Sequence, residues 1–447
     1  MKNLVLIGPM GCGKSTLGLK ASVRLGTEFI DMDKFIEERA GMTIVRMFEV
    51  KGEEYFRDKE SEAALILAKK RGAIIACGGG VVLRERNMDA LVETCCIVFV
   101  DRPLEDILND VETGGRPLLS LGAEKLREIY SDRYSLYKQY ADRVIRNDGS
   151  QEDAVRRLVE IGEIYKNTQF AVLGDPIEHS KSPEIHLPVL RCFLDDPVYE
   201  RMTVKCGALP QYLDRLRELR GFNLTMPHKR DIIPYLSDIS HEAKLSGSVN
   251  TVVCRSGEFF GYTTDGEGFF SSLESAGVNF DGKHLVVLGA GGAARAIVFR
   301  ACLRYNLKVS VLARDETKAR NLRDEVMEKI QAADIYAGGM SPGALARHAA
   351  SADILVNATP LGMRGTQVQW DSLDFIEKLP ENAAICDLIY SPPETELLAK
   401  ARQEGLKCVN GLPMLIYQAL AADELFLDMD IDRECYYETA VQSLGTS

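Results

Sequence analysis

What this chain lacks excludes several classes of function. No stretch resembles the run of about 18 apolar residues that a membrane-spanning helix needs, so no membrane partner is expected. The opening MKNLVLIGP passes straight into a glycine-rich loop with no cleavage-site pattern, and the expectation is a cytoplasmic protein. Positive charge is in deficit: the formal net charge is -12, which disfavours nucleic acid as a partner. The eleven cysteines include no CxxC. Cys77, Cys254, Cys302 and Cys386 lie in apolar surroundings, as small buried hydrophobes do, and the adjacent Cys95 and Cys96 cannot easily bridge each other. The six histidines lack the close spacing of a zinc site, so no structural metal is expected. Internal repeats are absent as well.

The rest of the composition is ordinary. Hydrophobic content of 46% and charged content of 27% are those of a globular protein, and 447 residues predict about three compact units. Two glycine-rich signatures stand out. GPMGCGKST, from Gly8 to Thr16, fits GxxxxGKS, where backbone amides around Gly11 and Gly13 wrap phosphate oxygens, Lys14 reaches the terminal phosphates and Ser15 ligates Mg²⁺. GAGGAA, from Gly289 through Ala290, Gly291, Gly292 and Ala293 to Ala294, fits the dinucleotide fingerprint GxGxxA. One chain therefore carries two nucleotide sites of different chemistry.

The first stretch alternates strands with amphipathic helices: KNLVLIG, a helix from Lys14 to Leu25, EFIDMD, two helices to about Lys70, AIIACGG and CCIVFVD. This rhythm predicts a parallel sheet with helices on both faces, a three-layer α/β/α domain over residues 1–165 closed by a helix from about Gln151 to Tyr165. Lys166, Asn167 and Thr168 form a short linker. A second α/β unit spans 169–264, with the helical, apolar segment 411–447 packing back on an earlier domain. Residues 265–410 read as a Rossmann domain: HLVVLG, the glycine turn, a helix from Ala293 to Leu303 and the strands KVSVLAR, ADILVNAT and AAICDLIY.

In the first unit the strand after the phosphate-loop helix is expected to end in Asp31 and Asp33, on one side of the extended chain by the period of two. One carboxylate then serves Mg²⁺ and its waters, and the other meets an acceptor hydroxyl. Arg57, the glycines Gly78 to Gly80, Arg116 and Arg133 add cations and exposed amides suited to an anionic acceptor; the bland alternative for Arg57 and Arg133 is a solvated helix face with carboxylate partners. GPMGCGKST, FIDMD, FRDKE, CGGG, GRPLL and RYSLYKQYAD together resemble shikimate kinase across nearly all of residues 1–165. The resemblance implies ATP with Mg²⁺ as cofactor, Gly11, Gly13, Lys14, Ser15, Thr16 and Arg116 at the nucleotide, and Asp31 near the metal. It also implies that Asp33, Arg57, Gly79, Gly80 and Arg133 hold shikimate, with Asp33 on the hydroxyl and the two arginines on the carboxylate. Arg116 would come from a mobile lid.

In the second half Ser180 and Ser182 lie between a strand and a helix, where they either cap the helix or grip a carboxylate. His179 and His186 read as framework. Lys229 and Asp265 each follow a strand, where α/β enzymes place working groups, and a lysine beside a carboxylate can deliver a proton to a ketone oxygen; the bland alternative is a surface ion pair. Arg314 and Lys318 stand where cations suit a 2′-phosphate.

DPIEHSKSP, NLTMPHK, SVNT, TTDGEGF, GAGGAAR, NATPLGM and GLPMLIYQA resemble shikimate dehydrogenase over residues 168–447. The resemblance implies reduction of 3-dehydroshikimate with NADP(H), a catalytic pair of Lys229 and Asp265, and Ser180, Ser182, Thr225, Asn250, Tyr390 and Gln418 around the cyclic acid. Gly411 joins the cofactor residues. In place of the family's NRTxxKA this chain has Ala313 and Asp315, which puts a carboxylate beside the expected phosphate and leaves NAD use open. The combined expectation is a bifunctional shikimate-pathway enzyme acting on small molecules; oxidation of quinate or shikimate in catabolism, and a non-catalytic nucleotide sensor, remain as alternatives.

Overall fold

The computed structural model describes residues 2–114, 122–364 and 368–445. It divides into two compact units, Met1–Thr168 and Gln169–Ser447.

The first unit is built on five strands: β1 (Asn3–Ile7), β2 (Glu28–Asp31), β3 (Ala73–Ala76), β4 (Cys95–Asp101) and β5 (Arg143–Arg146). All their pairings are parallel and the order is β2-β3-β1-β4-β5. Such a sheet is covered on both faces, which is why NLVLI, AIIA and CCIVFV read as continuous apolar runs and are buried throughout. The helices Lys14–Leu25 and Gln151–Lys166 pack together on one face. Phe56, Ala63, Ala64 and Leu67 of the helix Glu53–Leu67 cluster with Val5, Ile7 and Ile75 on the other.

Two expectations are corrected. Three helices, not two, lie between β2 and β3: Met32–Ala40, Ile44–Lys51 and Glu53–Leu67, separated at Gly41 and Gly52, both of positive φ. Asp33 does not continue the strand. The Asp31 carboxylate accepts the backbone N–H groups of Asp33 and Lys34 at 3.1 and 3.4 Å, so the chain turns into a helix at once and Asp33 sits in its first turn.

The second unit contains two sheets. The first comprises β6 (Gln169–Gly174), β7 (Val198–Thr203), β8 (Gly221–Leu224), β9 (Asp238–Ile239), β10 (Thr251–Arg255) and β11 (Glu258–Tyr262) in the mixed order β7-β6-β8-β10-β11-β9. The second comprises β12 (His284–Leu288), β13 (Lys308–Ala313), β14 (Ile335–Gly339), β15 (Ile354–Asn357), β16 (Ala384–Asp387) and β17 (Lys407–Val409). Its order, β14-β13-β12-β15-β16-β17, is all parallel and is the 3-2-1-4-5-6 order of a Rossmann sheet. The helix Gly411–Leu427 packs on Asp265–Ser275, and a Cβ at Gly268 would lie 2.6 Å from the Gln418 backbone nitrogen. That close crossing brings Gln418 up to the start of the Asp265 helix.

Candidate active sites

In the first unit the phosphate loop leads from β1 into the helix Lys14–Leu25. Gly13, at φ 102°, precedes that helix, which has no side-chain cap, so its first N–H groups are left for an anion. Lys14 is buried and donates to the carbonyls of Gly8 and Pro9 at 2.8 and 2.9 Å. Ser15 Oγ donates to Asp31 Oδ2 at 2.8 Å, so a hydroxyl and a carboxylate stand together, hard oxygen ligands of the kind Mg²⁺ takes. A cavity of about 180 Å³ is lined by Gly11, Gly13, Lys14, Ser15, Thr16, Asp31, Asp33 and Gly79 among others. Burial, reinforced by the Asp31 carboxylate, raises the Asp33 carboxyl above its ordinary range.

Beyond the phosphate loop, a Cβ at Gly80 would overlap the Arg57 guanidinium, so that arginine lies against the glycine turn. Arg133 Nη1 donates to the Gly79 carbonyl at 3.1 Å, and Tyr137 donates to the same oxygen at 2.5 Å. Arg57 does have helical carboxylate partners, Glu53 at 3.1 Å and Glu60 at 2.9 Å, but its side chain is only 12% exposed and Glu60 is fully buried. Glu60 escaped the sequence reading; its signal is the i, i+3 spacing from Arg57. Among the described residues its Oε1 is buried without a hydrogen-bond partner, beside Gly78. Arg116 lies outside the described residues.

In the second unit Lys229 follows β8 and Asp265 opens its helix. Lys229 Nζ donates to Asp265 Oδ2 at 2.5 Å, and Asn250 Nδ2 donates to Asp265 Oδ1 at 2.9 Å. Asn250 is fixed in turn: its Oδ1 accepts the Thr264 N–H at 2.8 Å, and Nδ2 also donates to Thr264 Oγ1 and Gln418 Oε1. This is no surface ion pair, since the two side chains are 20% and 9% exposed. A cavity of about 430 Å³ has Ser180, Ser182, Thr225, Lys229, Asn250, Asp265, Tyr390 and Gln418 in its walls, together with Ala293 and Gly411.

Ser180 Oγ accepts the Ser182 N–H at 3.3 Å and donates to Ser182 Oγ at 3.1 Å. A capping contact and an opening toward the cavity are thus combined in one serine pair. Gly289 has φ 111°, and Gly291 precedes the helix Gly292–Arg304 with no side-chain cap. A dinucleotide phosphate fits there, because a Cβ at Gly291 or Gly292 would meet only open space.

Comparison with known proteins agrees with both halves. The family model described as shikimate kinase matches residues 10–162, and the one described as shikimate dehydrogenase substrate binding domain matches residues 172–252. The shikimate dehydrogenase (NADP(+)) of Alkaliphilus oremlandii is 38% identical over 261 residues, 58% of this chain and 91% of that protein. The chain belongs to the shikimate dehydrogenase family, with a shikimate kinase domain fused ahead of it. Among solved structures, shikimate 5-dehydrogenase from Thermus thermophilus, in complex with NADP(H) and shikimate, is 35% identical with TM-score 0.53, covering 62% of this chain and 99% of that one. Quinate dehydrogenase from Corynebacterium glutamicum, in complex with NAD, is 28% identical with TM-score 0.55, covering 62% and 99%.

The segment at the end of β13 is where this chain departs from the family pattern NRTxxKA. Arg314 lines a cavity of about 700 Å³ with Met340, Leu361 and Trp370, while Lys318 projects into solvent. The Asp315 carboxylate caps the helix Glu316–Lys329, accepting the N–H groups of Thr317 and Lys318 at 3.1 and 3.4 Å, and stands 4.0 Å from Lys318 Nζ. Asn223 also lines the 430 Å³ cavity of this dehydrogenase half and was missed in the sequence, where its β8 position resembles any buried strand residue.

Proposed function

We propose that the dehydrogenase half reduces 3-dehydroshikimate to shikimate with Lys229 as proton donor, and that the kinase half phosphorylates shikimate at the hydroxyl facing Asp33. NADPH supplies the hydride when bound, and ATP with Mg²⁺ supplies the phosphoryl group. The observation that carries the reading is the Lys229–Asp265 pair inside a cavity whose wall also includes Ala293 and Gly411, next to the dinucleotide turn. A ketone oxygen there meets an ammonium held in place by a carboxylate, so the lysine can protonate it as hydride reaches the carbon. Asn250 holds the other oxygen of Asp265 and so fixes the orientation of the pair. Ser180 and Ser182 are suited to the substrate carboxylate, and Thr225, Tyr390 and Gln418 to the ring and its hydroxyls.

In the kinase half the work is alignment and neutralisation of charge, with Lys14 and Arg116 assigned to the phosphates and Ser15 with Asp31 to the metal. Arg57 and Arg133 take the carboxylate beside Gly79 and Gly80. Asp33 accepts the proton from the attacking hydroxyl, and its raised pKa makes it a better base than an ordinary carboxylate. The decisive experiment supplies 3-dehydroshikimate, NADPH, ATP and Mg²⁺ to the whole chain and identifies the product. Shikimate 3-phosphate with one NADPH oxidised per product is expected. Faster turnover of quinate than of shikimate with NADP would instead reassign the dehydrogenase half to oxidation.

A further inference from the structure

Beneath the 430 Å³ cavity lies a buried ionisable pair that the proposed reaction does not use. His186 Nδ1 and Asp423 Oδ1 are 2.6 Å apart, and neither side chain is exposed beyond 1%. Among the described residues His186 Nε2 and Asp423 Oδ2 have no hydrogen-bond partner. Aromatic rings pack on the pair: Tyr199 and Phe426 lie at centroid distances of 4.6 and 6.2 Å from the His186 ring. A half-satisfied polar pair is a poor way to hold such a core, because well-packed apolar residues of similar volume stabilise as well or better. Its place in the fold suggests what it does instead.

His186 lies one turn beyond Ser182 on the helix Ser182–Phe193, and Asp423 lies five residues beyond Gln418 on the helix Gly411–Leu427. The bond between them therefore ties together the two helices that present Ser182 and Gln418 to the cavity. A second route runs through Tyr199. Its ring stacks on His186 with centroids 4.6 Å apart and planes 10° apart, and its hydroxyl donates to Asn223 Oδ1 at 2.5 Å. Asn223 Nδ2 donates to the Asn250 carbonyl and to Thr251 Oγ1 at 3.2 and 3.0 Å, so every polar group of this cavity-lining amide is committed. One buried pair thus reaches three walls of the cavity, two of which, Gln418 and Asn223, also bond Asn250, while the bond that holds Asp265 is made by Asn250 directly.

We propose that His186, Asp423 and Tyr199 are positioning residues of the dehydrogenase half, which set the binding of the cyclic acid by fixing Ser182, Asn223 and Gln418 without taking part in proton or hydride transfer. The inference rests on the reading of the cavity as the 3-dehydroshikimate site. Its test is steady-state kinetics with 3-dehydroshikimate and NADPH on the whole chain, alongside thermal unfolding. In the double variant His186→Phe/Asp423→Leu, which replaces the pair by apolar groups, KM for 3-dehydroshikimate should rise about tenfold. Its kcat, KM for NADPH and unfolding midpoint should stay near those of the parent. Asp423→Asn retains an acceptor for His186 and should keep the parental KM. A double variant that folds as well as the parent and binds with the same KM would overturn the proposal by reducing the pair to packing.

Tyr199→Phe removes one hydroxyl and keeps the stack, so it decides the matter even if the double variant does not fold. A several-fold rise in KM at constant kcat is expected, and an unchanged KM overturns the proposal. Absence of NADPH oxidation in the parent would be a different failure, that of the substrate assignment itself.

Discussion

Replacing Asp315 by Asn should sharpen the preference for NADPH over NADH by an amount that depends on salt. Asp315 Oδ1 accepts two N–H groups at the start of the helix Glu316–Lys329, the place where a 2′-phosphate beside Arg314 gains most from the helix dipole. A phosphate held by Arg314 at this helix mouth would lie about two hydrogen-bond lengths, roughly 6 Å, from the carboxylate. The Asp315 side chain is 53% exposed, so the dielectric of water applies. A unit charge at about 6 Å from a phosphate dianion then costs roughly 1.4 kcal/mol, and screening at 0.15 M salt cuts this to about 0.7.

Asn caps a helix as well as Asp does, so the fold should be untouched while the charge is gone. The ratio of kcat/KM for NADPH to that for NADH, measured with 3-dehydroshikimate, should rise about tenfold at low salt and about threefold at 0.15 M, at 1.36 kcal/mol per factor of ten. Lys318, released from its carboxylate neighbour at 4.0 Å, adds to the effect in the same direction. A ratio that does not move, or moves equally at both ionic strengths, would refute the electrostatic reasoning.

Lys229→Ala should lower NADPH oxidation by about 10² to 10⁴-fold, the range of a lost general acid, while ATP use on supplied shikimate stays within twofold; loss of both activities would contradict independent sites. Asp33 must be ionised to accept a proton, and burial with Asp31 nearby raises its pKa, so the acid limb of kinase kcat/KM should lie above the usual carboxylate value near about 4. Glu37→Gln removes a raising cause that lies outside the proposed metal ligands and should move that limb to lower pH; an unmoved limb would take Asp33 out of the role. His284 and His348 share the Ser310 hydroxyl at 2.9 and 3.1 Å, and burial holds both below the ordinary value of 6.5. The folded state then binds protons less readily than the unfolded chain, so their contribution to stability is present above about pH 6.5 and is lost as pH falls through the depressed values. The unfolding midpoint of the second unit, followed by the single tryptophan Trp370, should drop below that pH in the parent and drop less in His348→Gln.

Some features could be read from residue order because local chemistry alone decides them. GCGKST must turn and then start a helix, and the helix begins at Lys14. Runs such as CCIVFVD in a βα rhythm must be buried strands of a parallel sheet, and they are. The border after Asp31 could not be read so easily. A period of two continues the strand to Asp33, whereas the Asp31 side chain offers the backbone a cap and ends it two residues earlier. Glu60 and Asn223 were hidden for another reason. Each looks like a common helix or strand residue, and only tertiary packing makes Glu60 a buried partner of Arg57 and Asn223 a wall of the dehydrogenase cavity. The pairing of His186 with Asp423 spans most of the second unit, a separation at which sequence patterns say nothing.

Helix starts draw these observations together. The helices Ile44–Lys51, Gln151–Lys166, Pro342–Ala349 and Glu396–Gln403 begin on Thr43, Ser150, Ser341 and Thr395, whose side chains accept their first N–H groups. Four helices that begin at the two cavities, Lys14–Leu25, Ser182–Phe193, Asp265–Ser275 and Gly292–Arg304, have no such cap from the residue before them, whereas Met32–Ala40 and Gly411–Leu427, which also begin there, are capped by Asp31 and Asn410. The uncapped N–H groups of those four cost stability and are what a phosphate or carboxylate can satisfy, although at Ser182 the N–H already meets the Ser180 hydroxyl. Glu85–Thr94 is also uncapped and borders neither cavity, so a missing cap is a pointer and not a proof. Glu316–Lys329 runs the other way. It starts beside Arg314, where an anion is expected, yet Asp315 has already taken its N–H groups. A site that supplies its own anion to a helix start has less to offer a second one, so among the cofactor contacts proposed here the 2′-phosphate contact should be the weakest.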